Sequence, residues 1–366
     1  MSFFIIFYSF VILFLHFLYA KVIIYYRPLT YKDKKTGKIV DVHKLYEPFQ
    51  CKDKPNYFEF IIMGTILFPI KFVLDVLIML SFMIHLKIFS IFYKNQDTNP
   101  KEYARLSKIM KFYNRLFLLC SMVNLVEKKI DCKEIYKKYL GPDYDFSDQK
   151  YSLIVCNHIG FYDIITNMYL HASGFIAKEP VQRYWLIGPI SKSINCLFVN
   201  RENEQSRNEI FEKLYERQTK FLEGKYLAPL VLFPEGTTTS GRNILKFKRG
   251  AFYHLLPIKP EIINIYQENK CHIAVGVQNL LYNTFKYLCY LPQKLYYIDM
   301  PVIRPTEYMF ANYSHLGNEK WEIFAEVVRK IYCEVGGFKE CDLGYRDSNN
   351  YYEAISKGEF DYEKIL

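Results

Sequence analysis

The sequence predicts an α/β fold, a β-sheet flanked by helices and preceded by membrane helices. Three observations predict it. Two short apolar runs, Leu153–Cys156 and residues 230–233, read as buried strands, and each leads into a polar loop equipped for chemistry. Residues 320–335 carry Trp321, Phe324, Val327, Val328 and Ile331 at helical spacing. Near the start lie two long apolar segments, 3–20 and 58–92. Sheets of this class place their chemistry just beyond the carboxyl ends of the strands.

The elements follow in order. Segment 3–20 has 18 residues and, tyrosines aside, only His16 as an ionisable interruption. That length just spans a bilayer. No positive side chain precedes it, as a secretory leader requires, so residues 1–20 are expected to be an uncleaved anchor. Between Lys21 and Lys54 there are nine Lys or Arg against four Asp or Glu. By the positive-inside rule residues 21–57 form a basic cytosolic linker, with the N-terminus across the membrane. Segment 58–92 is broken by Glu59, Pro69, Lys71, Asp75, His85 and Lys87. It is too long for one simple span and shorter than the about 40 residues two spans need. The expectation is a re-entrant hairpin of two half-helices bent near Pro69.

Residues 93–150 read as a lysine-rich amphipathic helix and a linker. Leu106, Ile109, Met110, Tyr113, Leu116 and Phe117 keep helical spacing. Asp143, Asp145 and Asp148 do not make a calcium loop, since the sixth-position glycine and twelfth-position glutamate are missing. The catalytic domain is expected over 151–340, with further strands at 262–265, 272–277 and 295–303. Residues 341–366 are expected to be a polar C-terminal tail, of which 347–366, polar and charged, is expected to fray. The sequon Asn312-Tyr313-Ser314 must stay unmodified on a cytosolic domain.

Composition narrows the function class. Of 366 residues 51% are hydrophobic and 18% aromatic, and the net charge is +10. That charge suits an anionic phospholipid surface or the phosphates of a coenzyme. No RNP-type motif, zinc knuckle or basic recognition helix speaks for nucleic acid. The nine cysteines lack any Cys-x-x-Cys, which argues for a reducing compartment and against a disulfide framework or metal site. Cys156, the last residue of an apolar strand, reads as core.

The first loop, Asn157-His158-Ile159-Gly160-Phe161-Tyr162-Asp163, holds a histidine and an aspartate five positions apart. Five positions along a helix rotate by about 500°, so the two share no face of a straight helix. They meet only if the chain turns between them, and Gly160 permits a turn. Asp163 at the start of the next helix would then accept the imidazole Nδ1–H and leave Nε2 as a general base. A surface histidine ahead of an N-capping aspartate would give the same spacing. The second loop, Phe233-Pro234-Glu235-Gly236-Thr237-Thr238-Thr239, sets a carboxylate on a hydroxyl-rich turn.

These blocks come in a telling order. His158-x4-Asp163 is followed by Cys196-Leu197-Phe198-Val199-Asn200-Arg201, then Phe233-Pro234-Glu235-Gly236-Thr237-Thr238, then Phe247-Lys248-Arg249-Gly250-Ala251-Phe252 with Pro257 and Pro260. Over roughly residues 48–338 the chain resembles the glycerolipid acyltransferases, typified by bacterial 1-acylglycerol-3-phosphate acyltransferase. In detail it looks most like the lysophosphatidylcholine and lysophosphatidylethanolamine acyltransferase branch. It departs from the family pattern at Gly160, where serine is usual, and at Asn195, where glycine often stands.

The resemblance implies a mixed sheet of the glycerol-phosphate acyltransferase type. It implies acyl transfer from acyl-CoA, a co-substrate and no bound cofactor, to the free hydroxyl of a lysophospholipid at a bilayer. His158 is then the base and Asp163 its orienting acid. Arg201, whose planar fork matches phosphate oxygens, and Glu235, Gly236, Thr237 and Thr238 hold the glycerol-phosphate part. Ionised Glu235 would repel a phosphate, so it is expected to orient Arg201 or a backbone amide. Arg242, Lys246, Lys248 and Arg249 meet either phosphates or solvent. The expected setting is an endoplasmic-reticulum-like membrane with the catalytic domain facing the cytosol. Lysophosphatidate or glycerol 3-phosphate is the alternative acceptor, and a silent lipid-binding protein the non-enzymatic alternative.

Overall fold

Leu153–Cys156 is a strand whose four residues are all buried, as an apolar run without alternation must be at the centre of a sheet covered on both faces. Its side chains still divide with period two: Leu153 and Val155 enter one apolar layer, Ile154 and Cys156 the other. The computed structural model describes residues 2–32, 37–50, 54–200, 204–264, 276, 279–291 and 293–358.

The chain opens with α1 (Ser2–Ile23), the strands β1 (Thr30–Lys32) and β2 (Ile39–Asp41), and α2 (Val42–Leu45). Then come α3 (Tyr57–Phe92), α4 (Pro100–Cys120), β3 (Val123–Glu127), α5 (Lys133–Leu140), β4 (Leu153–Cys156) and α6 (Phe161–His171). β5 (Gly174–Lys178), α7 (Ile187–Ser193), β6 (Leu197–Val199), α8 (Glu204–Leu222), β7 (Leu230–Leu232), β8 (Asn243–Leu245) and β9 (Ile258–Asn264) follow. The last elements are α9 (Leu280–Leu288), β10 (Gln293–Asp299), α10 (Glu307–Asn312), α11 (Lys320–Gly336), β11 (Lys339–Cys341) and α12 (Tyr345–Lys357).

Seven strands form one mixed sheet in the order β3-β10-β9-β4-β7-β5-β6. β9, β4, β7, β5 and β6 run parallel, β10 is antiparallel to β9, and β3 is parallel to β10. The carboxyl ends of β4, β5, β6 and β7 therefore lie on one edge, as the sequence implies for its motifs. One face of the sheet is covered by α5, α10 and α11 with Leu214 of α8, the other by α3, α4, α6 and α7.

Four expectations need correction. Segment 58–92 is one continuous helix, α3, and not two half-helices bent at Pro69. Proline removes one backbone donor, but Phe68 and Phe72 near it stack on each other and both meet Phe285 edge-on, which packs the helix on both sides of that turn. The polar interruptions Lys71 and Asp75 lie on the inner face: Lys71 Nζ donates to the Tyr290 carbonyl at 2.6 Å, and Ser121 Oγ to Asp75 at 3.2 Å. Ile62, Ile66, Ile70, Leu77, Ile84, Ile88 and Ile91 remain exposed on the outside. Two helical segments, Phe4–Tyr26 and Tyr57–Phe92, are long and apolar enough to cross a membrane.

Secondly, residues 93–150 are more than helix and linker. α4 packs on α3 and α6 through Leu106, Met110 and Phe117, and β3 then joins the main sheet beside β10. The sheet therefore begins well before residue 151. Thirdly, 21–57 is no loose linker, since it carries β1, β2 and α2. Fourthly, the tail 341–366 does not fray at its start: α12 buries Tyr351, Ala354 and Ile355 against Val42, Tyr46 and Phe49. The strand expected at 272–277 lies, except for Gly276, outside the described residues.

A buried histidine ties these two end segments together. The ring nitrogens of His43 lie 2.7 Å from the Arg27 carbonyl and the Tyr351 hydroxyl. A carbonyl only accepts, so Nε2 donates to Arg27 and Nδ1 accepts from Tyr351. Tyr351→Phe leaves that nitrogen unsatisfied in the interior. It is expected to lower unfolding stability by about 1–3 kcal/mol, read by denaturant titration of the detergent-solubilised protein.

Candidate active site

β4 hands the chain to a loop held by its own side chains. Asn157, buried, donates to the Ile263 carbonyl and accepts from the Ile263 amide, both at 2.8 Å, so it pairs with β9 where β4 has ended. Tyr332 of α11 donates to the Val155 carbonyl at 2.6 Å from below. His158 thus leaves the strand from a fixed point.

Asp163, fully buried, turns the loop. Its Oδ2 accepts from His158 Nδ1 at 2.9 Å and from the amides of Ile159 and Gly160 at 2.5 and 2.8 Å. Because Asp163 accepts, His158 Nδ1 carries the hydrogen and Nε2 the lone pair. Among the described residues Nε2 has no protein partner. The glycine at 160 is not what allows the turn: its φ is 170°, extended backbone open to any residue. The backbone at this position does not itself demand glycine in place of the usual serine.

The second loop is stitched to the first. The His158 amide donates to Glu235 Oε1 at 3.0 Å, and the His158 carbonyl accepts from the Thr239 amide at 2.9 Å. The His158 ring stacks on Phe233 with centroids 4.1 Å apart. Glu235 is 0% exposed, and its Oε2 accepts from the Leu245 amide at 3.0 Å. Burial pushes its carboxyl up to about 8, against the pull of the two amides and Arg329. Glu235 therefore points inward and orients backbone amides, which braces both loops, one of the two roles the sequence leads one to expect. Arg329, 2% exposed, is itself held by Glu326, Asp342 and the Cys341 carbonyl.

Gly236 has a φ of 72°, a conformation that favours glycine, and a Cβ there would meet only the movable end of the Lys248 side chain, with Nζ at 2.8 Å. Thr237 Oγ1 lies 3.2 Å from Ser348 Oγ on α12, and Thr238 Oγ1 donates to the Gly276 carbonyl at 2.9 Å. Arg201 lies outside the described residues. Arg242, Lys246, Lys248 and Arg249 are exposed. Cys156 is fully buried, and burial raises its thiol well above the ordinary range, which disqualifies it as a nucleophile. Among the described residues no cluster of three His, Cys, Asp or Glu is placed to hold a metal.

Asn157, Tyr332 and Arg329 escape sequence reading. Each acts on a partner distant in the chain, and only Asn157, a polar residue directly after a buried strand, gives any local sign.

Residues 140–267 match the family model Acyltransferase. The chain is 30% identical over 208 residues to the lysophospholipid acyltransferase LPEAT1 of Arabidopsis thaliana, covering 56% of this chain and 49% of that protein. It is 27% identical to the lysophospholipid acyltransferase LPCAT4 of Xenopus tropicalis over 49% of this chain and 34% of that protein. Against human lysophosphatidylcholine acyltransferase 1 the identity is 24%, over 53% of this chain and 34% of that protein. The chain thus spans about half the length, or less, of these relatives. Among solved structures, the 1-acyl-sn-glycerophosphate acyltransferase PlsC of Thermotoga maritima aligns at 17% identity and a TM-score of 0.39, covering 72% of this chain and 96% of that one. Residues 140–267 are thus an acyltransferase domain, and the chain around them is similar to the lysophospholipid and lysophosphatidylcholine acyltransferases.

Proposed function

We propose that this protein is a membrane-associated acyl-CoA:lysophospholipid O-acyltransferase. The observation that carries the reading is the oriented His158–Asp163 pair at 2.9 Å, on a loop braced by Glu235. An alcohol is a poor nucleophile and a thioester an activated electrophile, so the protein must supply proton removal and positioning.

His158 Nε2 takes the proton of the lysophospholipid hydroxyl as its oxygen attacks the thioester carbonyl carbon. The tetrahedral intermediate collapses by breaking the carbon–sulfur bond. The leaving thiolate takes the proton back from His158, which yields the phospholipid and free coenzyme A. Asp163 holds the imidazole in the required tautomer throughout. Neither an acyl-enzyme nor a metal enters these steps. Arg201, with the turn at Gly236, Thr237 and Thr238, is assigned to the acceptor's phosphate side. The exposed apolar faces of α1 and α3 support seating in a bilayer, and the basic residues after the first apolar segment are the ground for assigning the loops to the cytosolic side of an endoplasmic-reticulum-like membrane.

The test is acyl transfer from labelled oleoyl-CoA by purified protein in vesicles. The acceptors are lysophosphatidylcholine, lysophosphatidylethanolamine, lysophosphatidate and glycerol 3-phosphate. Turnover is expected with a lysophospholipid bearing choline or ethanolamine. Turnover confined to lysophosphatidate or glycerol 3-phosphate would move the assignment to those acceptors. No turnover from folded, vesicle-bound protein would leave a lipid-binding protein.

A further inference from the structure

Between β5 and α7 the chain makes a tight excursion that the acyl-transfer reading leaves unused. It opens with a 3-10 turn, Glu179–Arg183, that has Pro180 at its start. Two backbone bonds then close the loop: the Tyr184 amide donates to the Val181 carbonyl at 3.2 Å, and the Gly188 amide to the Tyr184 carbonyl at 2.7 Å. A Cβ at Gly188 would run into the Gln182 carbonyl, a backbone group that cannot swing aside, so the closing position requires glycine. What this braced loop holds out is aromatic. Trp185 is 69% exposed, more than any other aromatic side chain among the described residues outside α1 and α3, and Tyr184 beside it is 50% exposed. Two adjoining rings on a fixed loop are a different case from apolar residues scattered singly over a surface.

The neighbours of the loop say what covers the rings. α7, into which the loop leads, packs on α3, and its Ile190 shares an apolar layer with Phe82, Leu86 and Phe89 of that helix. The loop thus adjoins the stretch of α3 that exposes Ile84, Ile88, Ile91 and Phe92 on its outer side. Two basic side chains flank it at the surface, Arg183, paired with Glu179 at 2.9 Å, and Lys192 on α7. Rings with an apolar body and a polar tip, set between a lipid-facing helix and exposed cations, match the chemistry of the membrane–water boundary. β5 runs parallel to β7, and its Phe175 stacks on Phe233, which in turn stacks on the His158 ring. The loop therefore leaves the sheet on the edge that carries His158. We infer that Tyr184 and Trp185 form an interfacial anchor, which enters the headgroup layer beside α3 and seats the rim of the acyl-transfer site on the bilayer that supplies the lysophospholipid. The inference rests on the bilayer seating proposed for α1 and α3, and adds to those helices a contact made by the catalytic domain itself.

The chain has two tryptophans, so Trp321→Phe leaves Trp185 as the sole indole. The full-length variant is reconstituted in vesicles of phosphatidylcholine and phosphatidylglycerol, and flotation checks that it is bound. Lipid brominated near the headgroup end of its chains is expected to quench Trp185, and aqueous acrylamide to reach it far less than it reaches free tryptophan. If Trp321→Phe fails to fold, the difference between wild type and Trp185→Phe supplies the same signal. In turnover, Trp185→Ala is expected to raise KM for a vesicle-borne lysophospholipid about fivefold with kcat held, and Trp185→Tyr to recover most of the loss. Vesicle-bound protein whose Trp185 answers to acrylamide and not to brominated lipid overturns the inference and leaves the seating of α1 and α3 in place. Protein that does not float with the vesicles overturns both. Shielding of Trp185 from both quenchers overturns the inference too, and emission that then shifts on dilution would identify a second copy of this chain as the cover. A Trp185→Ala variant with the KM of the wild type overturns the seating of the rim.

Discussion

Replacing His158 with alanine is expected to lower kcat for lysophospholipid acylation by about 10²–10⁴, a barrier rise of about 3–5 kcal/mol. The expectation follows from the division of labour in the site. Acyl-CoA brings its own leaving group, so the uncatalysed difficulty lies in the hydroxyl, whose proton must go as the carbon–oxygen bond forms. His158 is a partly exposed group in the loop with an unshared ring nitrogen, and Asp163 fixes which nitrogen that is. The loss should fall on kcat, with KM for both substrates little changed, because the base acts only as charge develops in the transition state. Folding should survive: the loop is held through the backbone of His158 by Glu235 and Thr239, and alanine keeps that backbone. Acyl transfer measured beside far-ultraviolet circular dichroism separates the two effects. A variant that folds and retains wild-type turnover would remove His158 from the mechanism.

The parts of this site that were legible in the sequence are those whose partners lie close in the chain. His158 and Asp163 are five residues apart, and spacing alone shows that they meet only across a turn. β4 was legible because Leu153–Cys156 is uniformly apolar, and α11 because its apolar positions repeat at helical spacing. The inner face of α4 was legible for the same reason. β3 was not: Val123–Glu127 alternates across a short edge strand that follows the helix with hardly a break, in a lysine-rich neighbourhood. The polar residues of α3 suggested a broken membrane segment, but Lys71 and Asp75 are four apart and so share one face, where the Tyr290 carbonyl and Ser121 meet them. The end helix α12 hid behind its charged composition, although Tyr351, Ala354 and Ile355 already mark a narrow apolar stripe. For Glu235 the sequence leaves open whether it orients Arg201 or a backbone amide, and it does not say which amide. Its true partners, the amides of His158 and Leu245, come from two other segments, and no local pattern announces them.

Glu235 also carries the largest expected stability effect. Glu235→Ala strips the acceptors from two amides, of which that of Leu245 is buried, at about 1–3 kcal/mol each, or about 2–6 kcal/mol together. Glu235→Gln keeps one acceptor and the shape, and is expected to lose about half as much. The pH dependence distinguishes the carboxyl from a merely space-filling group. Its folded value, about 8, lies above the ordinary 4.5, so the folded protein binds a proton that the unfolded chain has released between those limits. Stability from this group is therefore complete below about pH 4.5 and declines as pH rises toward and through 8. Over that interval the fall is on the order of 5 kcal/mol, since each pKa unit corresponds to about 1.4 kcal/mol. Denaturant unfolding of wild type and Glu235→Gln from pH 5 to pH 9 should give curves that close and then cross as pH rises, because only the wild type has a proton to lose and its fall exceeds the starting gap. Parallel curves would mean that Glu235 enters the folded state already ionised, with the amides and Arg329 outweighing burial. In that case the same carboxylate would lend its charge to the loop that carries His158, and the activity of Glu235→Gln would fall with its stability unmoved by pH.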